Sequence, residues 1–75
     1  MVCDYMSIED KKIELANYIT KIRLESGMTQ KQLEKKSGVK QPVIARTENG
    51  TSCPNIETLL KILEPMGKKI IIVDE

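Results

Sequence analysis

The sequence predicts an all-α domain of four helices closed by one short β-strand. Three observations carry this. Apolar residues recur at helical spacing in the first and last of four segments, which are separated by Gly27, Ser37-Gly38 and Asn49-Gly50. A capping residue (Ser7, Thr29 or Asn55) stands ahead of three of them. One β-branched run, Ile70-Ile71-Ile72-Val73, follows the last. With 75 residues, 40% hydrophobic and 31% charged, the composition is that of one small globular domain near the lower limit for an unaided core.

Taken in order, residues 1–6 read as a flexible tail. Ser7, with Asp10 three residues on, caps a first helix that runs to Ser26 and stops at Gly27. Its apolar positions are Ile8, Leu15, Ile19 and Ile22. Thr29 caps a short second helix through Lys36, which Ser37-Gly38 breaks, and a third spans Gln41 to Glu48. Pro42 suits the first turn of that helix, where an N–H has no partner in any case. Thr51 to Asn55 is loop. Asn55 caps a fourth helix whose Ile56, Leu59, Leu60 and Leu63 form one stripe, and Pro65 ends it by disfavouring helix at Glu64. Gly67 then turns the chain into a strand over Lys69–Val73. The expected core is Leu33, Val39, Ile44, Leu59, Leu60 and Leu63, with Met28 and Met66 as filler.

Composition removes several function classes. There is no histidine, so imidazole acid–base chemistry and His-ligated metal sites are absent; two cysteines, Cys3 and Cys53, cannot build a four-ligand metal site. No nucleophile–base pair stands out, and a substrate-sized pocket would use up most of so small a core. The expectation is a protein that is not an enzyme and has no metal and no cofactor. The longest apolar run, Ile70–Val73, is far too short for a membrane span, and the start carries no leader pattern. Two distant cysteines are read as reduced thiols, which points to the cytoplasm.

The segment Thr29 to Gly50 carries the functional information. Two helices joined at Gly38 must bury Leu33, Val39 and Ile44 against each other, which leaves Lys40, Gln41, Pro42, Val43 and Arg46 free on the second. Gln pairs bidentately with adenine and Arg with guanine in the major groove. These residues resemble a known family. Gly27-Met28-Thr29-Gln30, Leu33, Gly38-Val39-Lys40-Gln41, Ile44, Arg46 and Glu48-Asn49-Gly50 look like the Cro/CI-type (XRE) helix-turn-helix repressors, whose domain is lambda-repressor-like. The likeness covers roughly residues 13 to 67 and takes in Pro54 and the helix Ile56–Glu64. Within it, the Lys40-Gln41 opening and the Leu60–Leu63 run resemble HipB-type antitoxins, which also end in a strand.

The resemblance implies roles. Gln41, Pro42 and Arg46 match base-reading positions, with Arg46 one turn along the exposed face. Gln30, Lys40, Asn49 and Thr51 match positions that contact the DNA backbone and set register. Arg23 and Glu48 correspond to a buried ion pair. Lys11, Lys12, Lys35 and Lys36 are read as solvated. The sequence departs from the family at Glu34, where a small residue is usual, and at Thr47, usually aliphatic; the two are expected to form a polar pair.

A lone strand leaves its backbone groups and four apolar side chains unpartnered, so residues 68–75 are expected to form a dimerisation strand (Ile70, Ile71, Ile72 and Val73) pairing across a homodimer. Residues 7–67 are then the DNA-binding domain. The expected partners are double-stranded DNA, a second copy of the chain and, by resemblance, a toxin protein; no membrane is involved. The expected function is a homodimeric repressor on a palindromic operator with half-site centres about 34 Å apart, set in a toxin–antitoxin operon. The alternative is a protein-interaction adaptor using the same fold, as multiprotein bridging factors do in part. The net charge of +1 conceals segregation: residues 1–10 carry −3, 11–27 carry +2, 28–50 carry +3 and 51–75 carry −1. The motif is the basic part of the chain.

Overall fold

A computed structural model describes residues 7–74, in which α1 (Ile8–Glu25), α2 (Gln30–Ser37), α3 (Gln41–Glu48) and α4 (Ile56–Leu63) enclose a single core. The expected tail, residues 1–6, and Cys3 with it, lies outside the described residues. Local chemistry sets the helix starts. The Ser7 hydroxyl accepts from Asp10 N at 3.1 Å, and Asn55 Oδ1 accepts from Thr58 N at 2.8 Å. At α2 the cap is reciprocal: Thr29 Oγ1 accepts from Gln32 N at 3.1 Å while Thr29 N donates to Gln32 Oε1 at 2.8 Å. Gly38 ends α2 at φ +79°, a conformation that is strained for any residue with a Cβ, and its N–H closes on Glu34 O at 2.9 Å.

Each helix supplies one fully buried residue: Ile19, Leu33, Ile44 and Ile62. Ile22, Val39, Leu59, Leu63 and Met66 complete the cluster, and Met28 and Val43 pack against its margin. The apolar stripe expected on α4 is rotated. Ile56 and Leu60 are 68% and 46% exposed, whereas Ile62 is completely buried. Leu59, Ile62, Leu63 and Met66 are the α4-side residues that face inward; five apolar residues in the eight-residue helix fit more than one stripe, and tertiary packing selected this one. On α1, Ile8 and Leu15 are likewise exposed, and Ala16 is buried with Ile19 and Ile22.

Two other expectations are corrected, and a third has no counterpart in the single chain. Glu64 is helical (φ −57°, ψ −49°) despite preceding Pro65, because the chain tightens into a 3₁₀ turn over Glu64–Met66. Gly67 at φ +73° closes that turn, its N–H bonding Glu64 O at 3.0 Å, while Lys68 N bonds Leu63 O at 3.1 Å. Glu34 and Thr47 do not pair: Thr47 Oγ1 donates to Val43 O at 2.9 Å within its own helix, and Glu34 lies 3.8 Å from Lys31 Nζ. A threonine can satisfy its hydroxyl on the carbonyl four residues back, so it needs no cross-helix partner. Finally, no strand is present among the described residues. Residues 68–74 take no regular element, since a ladder needs a second strand and one chain supplies none.

Candidate nucleic-acid interface

Helix α3 presents its amino-terminal end and one side to solvent. Lys40, its N-cap, is exposed and makes no capping bond through its side chain. Pro42 and Arg46 are exposed and lie one turn apart, which puts both on one face. Gln41 is only half exposed, turned from that face towards α2. Arg46 therefore follows Pro42 along the helix rather than Gln41. Lys40 and Arg46 enter no ion pair among the described residues, so neither charge is committed within the chain.

Behind α3 runs a connected chain of polar groups. Arg23, in the last turn of α1, grips the Glu48 carboxylate with Nε at 2.6 Å and a terminal nitrogen at 3.0 Å. Its other terminal nitrogen donates to Met28 O at 2.7 Å. Both side chains are buried, and two parallel charge-assisted bonds are the geometry that makes such burial tolerable. Burial alone would push the Glu48 carboxyl up, but the bonds from Arg23 and Gln30 and the guanidinium charge outweigh it and hold it below the ordinary glutamate range. The bond to Glu48 likewise raises Arg23, against its own burial.

This ion pair is not isolated from the exposed end of α3. Gln30 Nε2 donates to Glu48 Oε1 at 3.0 Å, and Gln41 Nε2 donates to Gln30 Oε1 at 2.7 Å. An ionised carboxylate only accepts, so it obliges Gln30 to turn its NH₂ inward and its oxygen outward. Gln41 must then give a hydrogen to that oxygen. Its own Oε1 and its second N–H remain available. Spacing in the sequence could not reveal this relay, because it depends on bringing the first residues of α2 and α3 together in space.

After α3, Asn49 and Thr51 are exposed and bonded to each other: Asn49 Oδ1 accepts from Thr51 N at 3.2 Å and from Thr51 Oγ1 at 2.7 Å. Cys53 is exposed in the same loop. It borders a small apolar cleft of about 40 Å³ lined by Leu15, Ala16, Ile19, Thr47 and Pro54 among others. No group of residues suited to a metal ion occurs among the described residues, and no described helix is long and apolar enough to cross a membrane.

Comparison with known proteins bears on this geometry. A helix-turn-helix family model matches residues 19–72. An uncharacterised HTH-type transcriptional regulator of Haemophilus influenzae is 50% identical over 62 residues, or 83% of this chain and 63% of its own length. The antitoxin HipB of Escherichia coli O6:H1 is 34% identical over 61 residues, 81% of this chain and 65% of its own. The HipB of strain K12 shows the same identity, with 69% of its length matched. The chain thus spans about two thirds of the length of these relatives. No solved structure matches it significantly. With α2, the Gly38 turn and the exposed end of α3 in place, these matches establish that the chain belongs to the helix-turn-helix family, of the Cro/CI (XRE) type.

Proposed function

We propose that the chain is a sequence-specific repressor that binds a palindromic operator as a homodimer in the cytoplasm. The Gln41–Gln30–Glu48 relay is the observation that carries the reading. It leaves Gln41 offering one acceptor and one donor. Adenine presents the complementary pair in the major groove, a donor at N6 and an acceptor at N7, whereas guanine presents two acceptors. Gln41 therefore reads adenine, and Pro42 and Arg46 address the neighbouring bases. Lys40, Asn49 and the second hydrogen on Gln30 Nε2 bind phosphates.

Exposure at the carboxyl end supports the dimer. Ile72 and Val73 are 96% and 73% exposed, and Ile70 and Ile71 are exposed beside them, a run of apolar side chains with no cover in the single chain. Antiparallel pairing of Lys69–Val73 with a second copy gives that segment its ladder and enlarges the core. The HipB relatives are antitoxins; by that likeness the operon regulated is a toxin–antitoxin operon and a toxin is the protein partner.

The test is salt-dependent binding to duplexes selected from a randomised pool. Gln41→Ala should relax preference at one base pair by about 1–3 kcal/mol, and Lys40→Ala should weaken all sequences alike and lower the salt slope by about 1. A protein-interaction adaptor would enrich no sequence and show neither effect. Light scattering tests the dimer: a monomer that stays fully folded without residues 69–75 refutes it.

A further inference from the structure

The loop that follows the recognition helix was expected to touch the DNA backbone through both Asn49 and Thr51. Counting its hydrogens gives a different division of labour. Asn49 N donates to Ala45 O at 3.0 Å, and Gly50 N to Thr47 O at 3.4 Å. Thr51 N is shared between Arg46 O at 3.1 Å and Asn49 Oδ1 at 3.2 Å. The Thr51 hydroxyl has one hydrogen, and the closer of its two acceptors is Asn49 Oδ1, at 2.7 Å against 3.4 Å for Arg46 O. Every backbone donor from residue 49 to 51 is thus engaged, and so is the hydroxyl. Asn49 Nδ2 alone has no acceptor among the described residues.

Orientation of the Asn49 amide follows from the same count. A backbone N–H can meet only the oxygen of an amide, so the Thr51 N–H places Oδ1 on the loop side and Nδ2 on the other. A phosphate oxygen is an acceptor without hydrogens. Thr51 cannot bond one unless it releases Asn49, and the carbonyl end of a helix repels phosphate, so a side-chain donor is required there.

We infer that Thr51 is a positioning residue: it does not contact DNA, but clamps the Asn49 amide so that Nδ2 donates to a phosphate at the carboxyl end of the recognition helix. The inference rests on the DNA-binding reading above and assigns Thr51 a role within it. Thr51→Val is nearly isosteric, keeps the backbone bond and deletes the hydroxyl bond. Thr51→Ser keeps both.

A double-mutant cycle decides the matter, with dissociation constants measured on a duplex selected by the wild-type chain. Asn49→Ala should weaken binding about ten- to a hundredfold, the scale of one hydrogen bond to a charged group, and Thr51→Val about three- to tenfold, because it frees the amide to turn. The double variant should bind no worse than Asn49→Ala, and Thr51→Ser should restore wild-type affinity. If Thr51→Val weakens the Asn49→Ala protein by a further factor of the same size, Thr51 makes its own contact and the inference is overturned. It is equally overturned if Thr51→Val binds like wild type. Far-UV circular dichroism confirms that each variant is folded under the binding conditions. A wild-type chain that selects no sequence refutes the repressor reading itself, an outcome distinct from additivity within the cycle.

Discussion

Removing Arg23 tests the energetic centre of the fold. Its side chain makes three hydrogen bonds, two to Glu48 and one to the Met28 carbonyl, and both partners of the ion pair are buried. Arg23→Met keeps most of the side-chain volume but leaves the Glu48 carboxylate with Gln30 as its remaining side-chain donor. Breaking a buried pair from one side costs about 3–5 kcal/mol, because the remaining charge is uncompensated. A domain of this size has a total stability of about 4–11 kcal/mol, so the single variant loses between about a quarter and all of it. Arg23→Met combined with Glu48→Leu leaves no buried charge, and should be more stable than Arg23→Met alone by about 2 kcal/mol or more. Urea unfolding followed by circular dichroism, at one fixed protein concentration, measures the four corners of the cycle. If the two single costs add to within about 0.5 kcal/mol, the groups are not coupled and the reasoning fails.

Two further predictions follow from the same structure. Glu48 titrates below the ordinary glutamate value of about 4.3. As pH falls, the unfolded chain therefore takes up its proton first, and the stability Glu48 contributes, fully present above that value, is lost as pH falls through the lowered one. Urea midpoints should drop mainly below about pH 4.3, and less steeply in the variant lacking both charges; an identical acid profile would show that Glu48 is not the group responsible. On α4, Ile62→Ala should cost about 2–5 kcal/mol and Leu60→Ala about 1 kcal/mol or less in the monomer. The reverse order in urea unfolding would mean that the helix is seated on its other face.

Helix starts were legible in the sequence because each is written in a few adjacent residues. Ser7, Thr29 and Asn55 cap their helices through their own side-chain oxygens, and such chemistry needs no tertiary information. The buried face of α4 was not legible. Ile56, Leu59, Leu60, Ile62 and Leu63 are all apolar, and only packing against the rest of the core decides which of them turn inward. The site divides in the same way. Gln41 was readable as a base-reading residue from its place in the motif, but its bond to Gln30 joins residues eleven apart on different helices. Thr47 shows a family likeness carried too far: polar residues at two positions where the resembling family differs suggested a pair across the helix crossing, when the Thr47 hydroxyl finds its acceptor in its own helix.

The seating of α1 has a consequence for motion. Its eighteen residues extend well beyond the core, and the buried positions (Ala16, Ile19, Ile22 and Arg23) all lie from its midpoint onward. The first two turns are held by the Ser7 cap, by an exposed pair between Glu9 and Lys12 at 3.2 Å, and by their own backbone ladder. Interactions of that kind contribute fractions of a kcal/mol to about one each. Opening this end should cost far less than unfolding the domain, so amide exchange is expected to be faster over the first turns from Ile8 than in the carboxyl half of the same helix, which opens with the core. A single helix would then contain the boundary between local fraying and global unfolding, ahead of its first buried residue, Ala16.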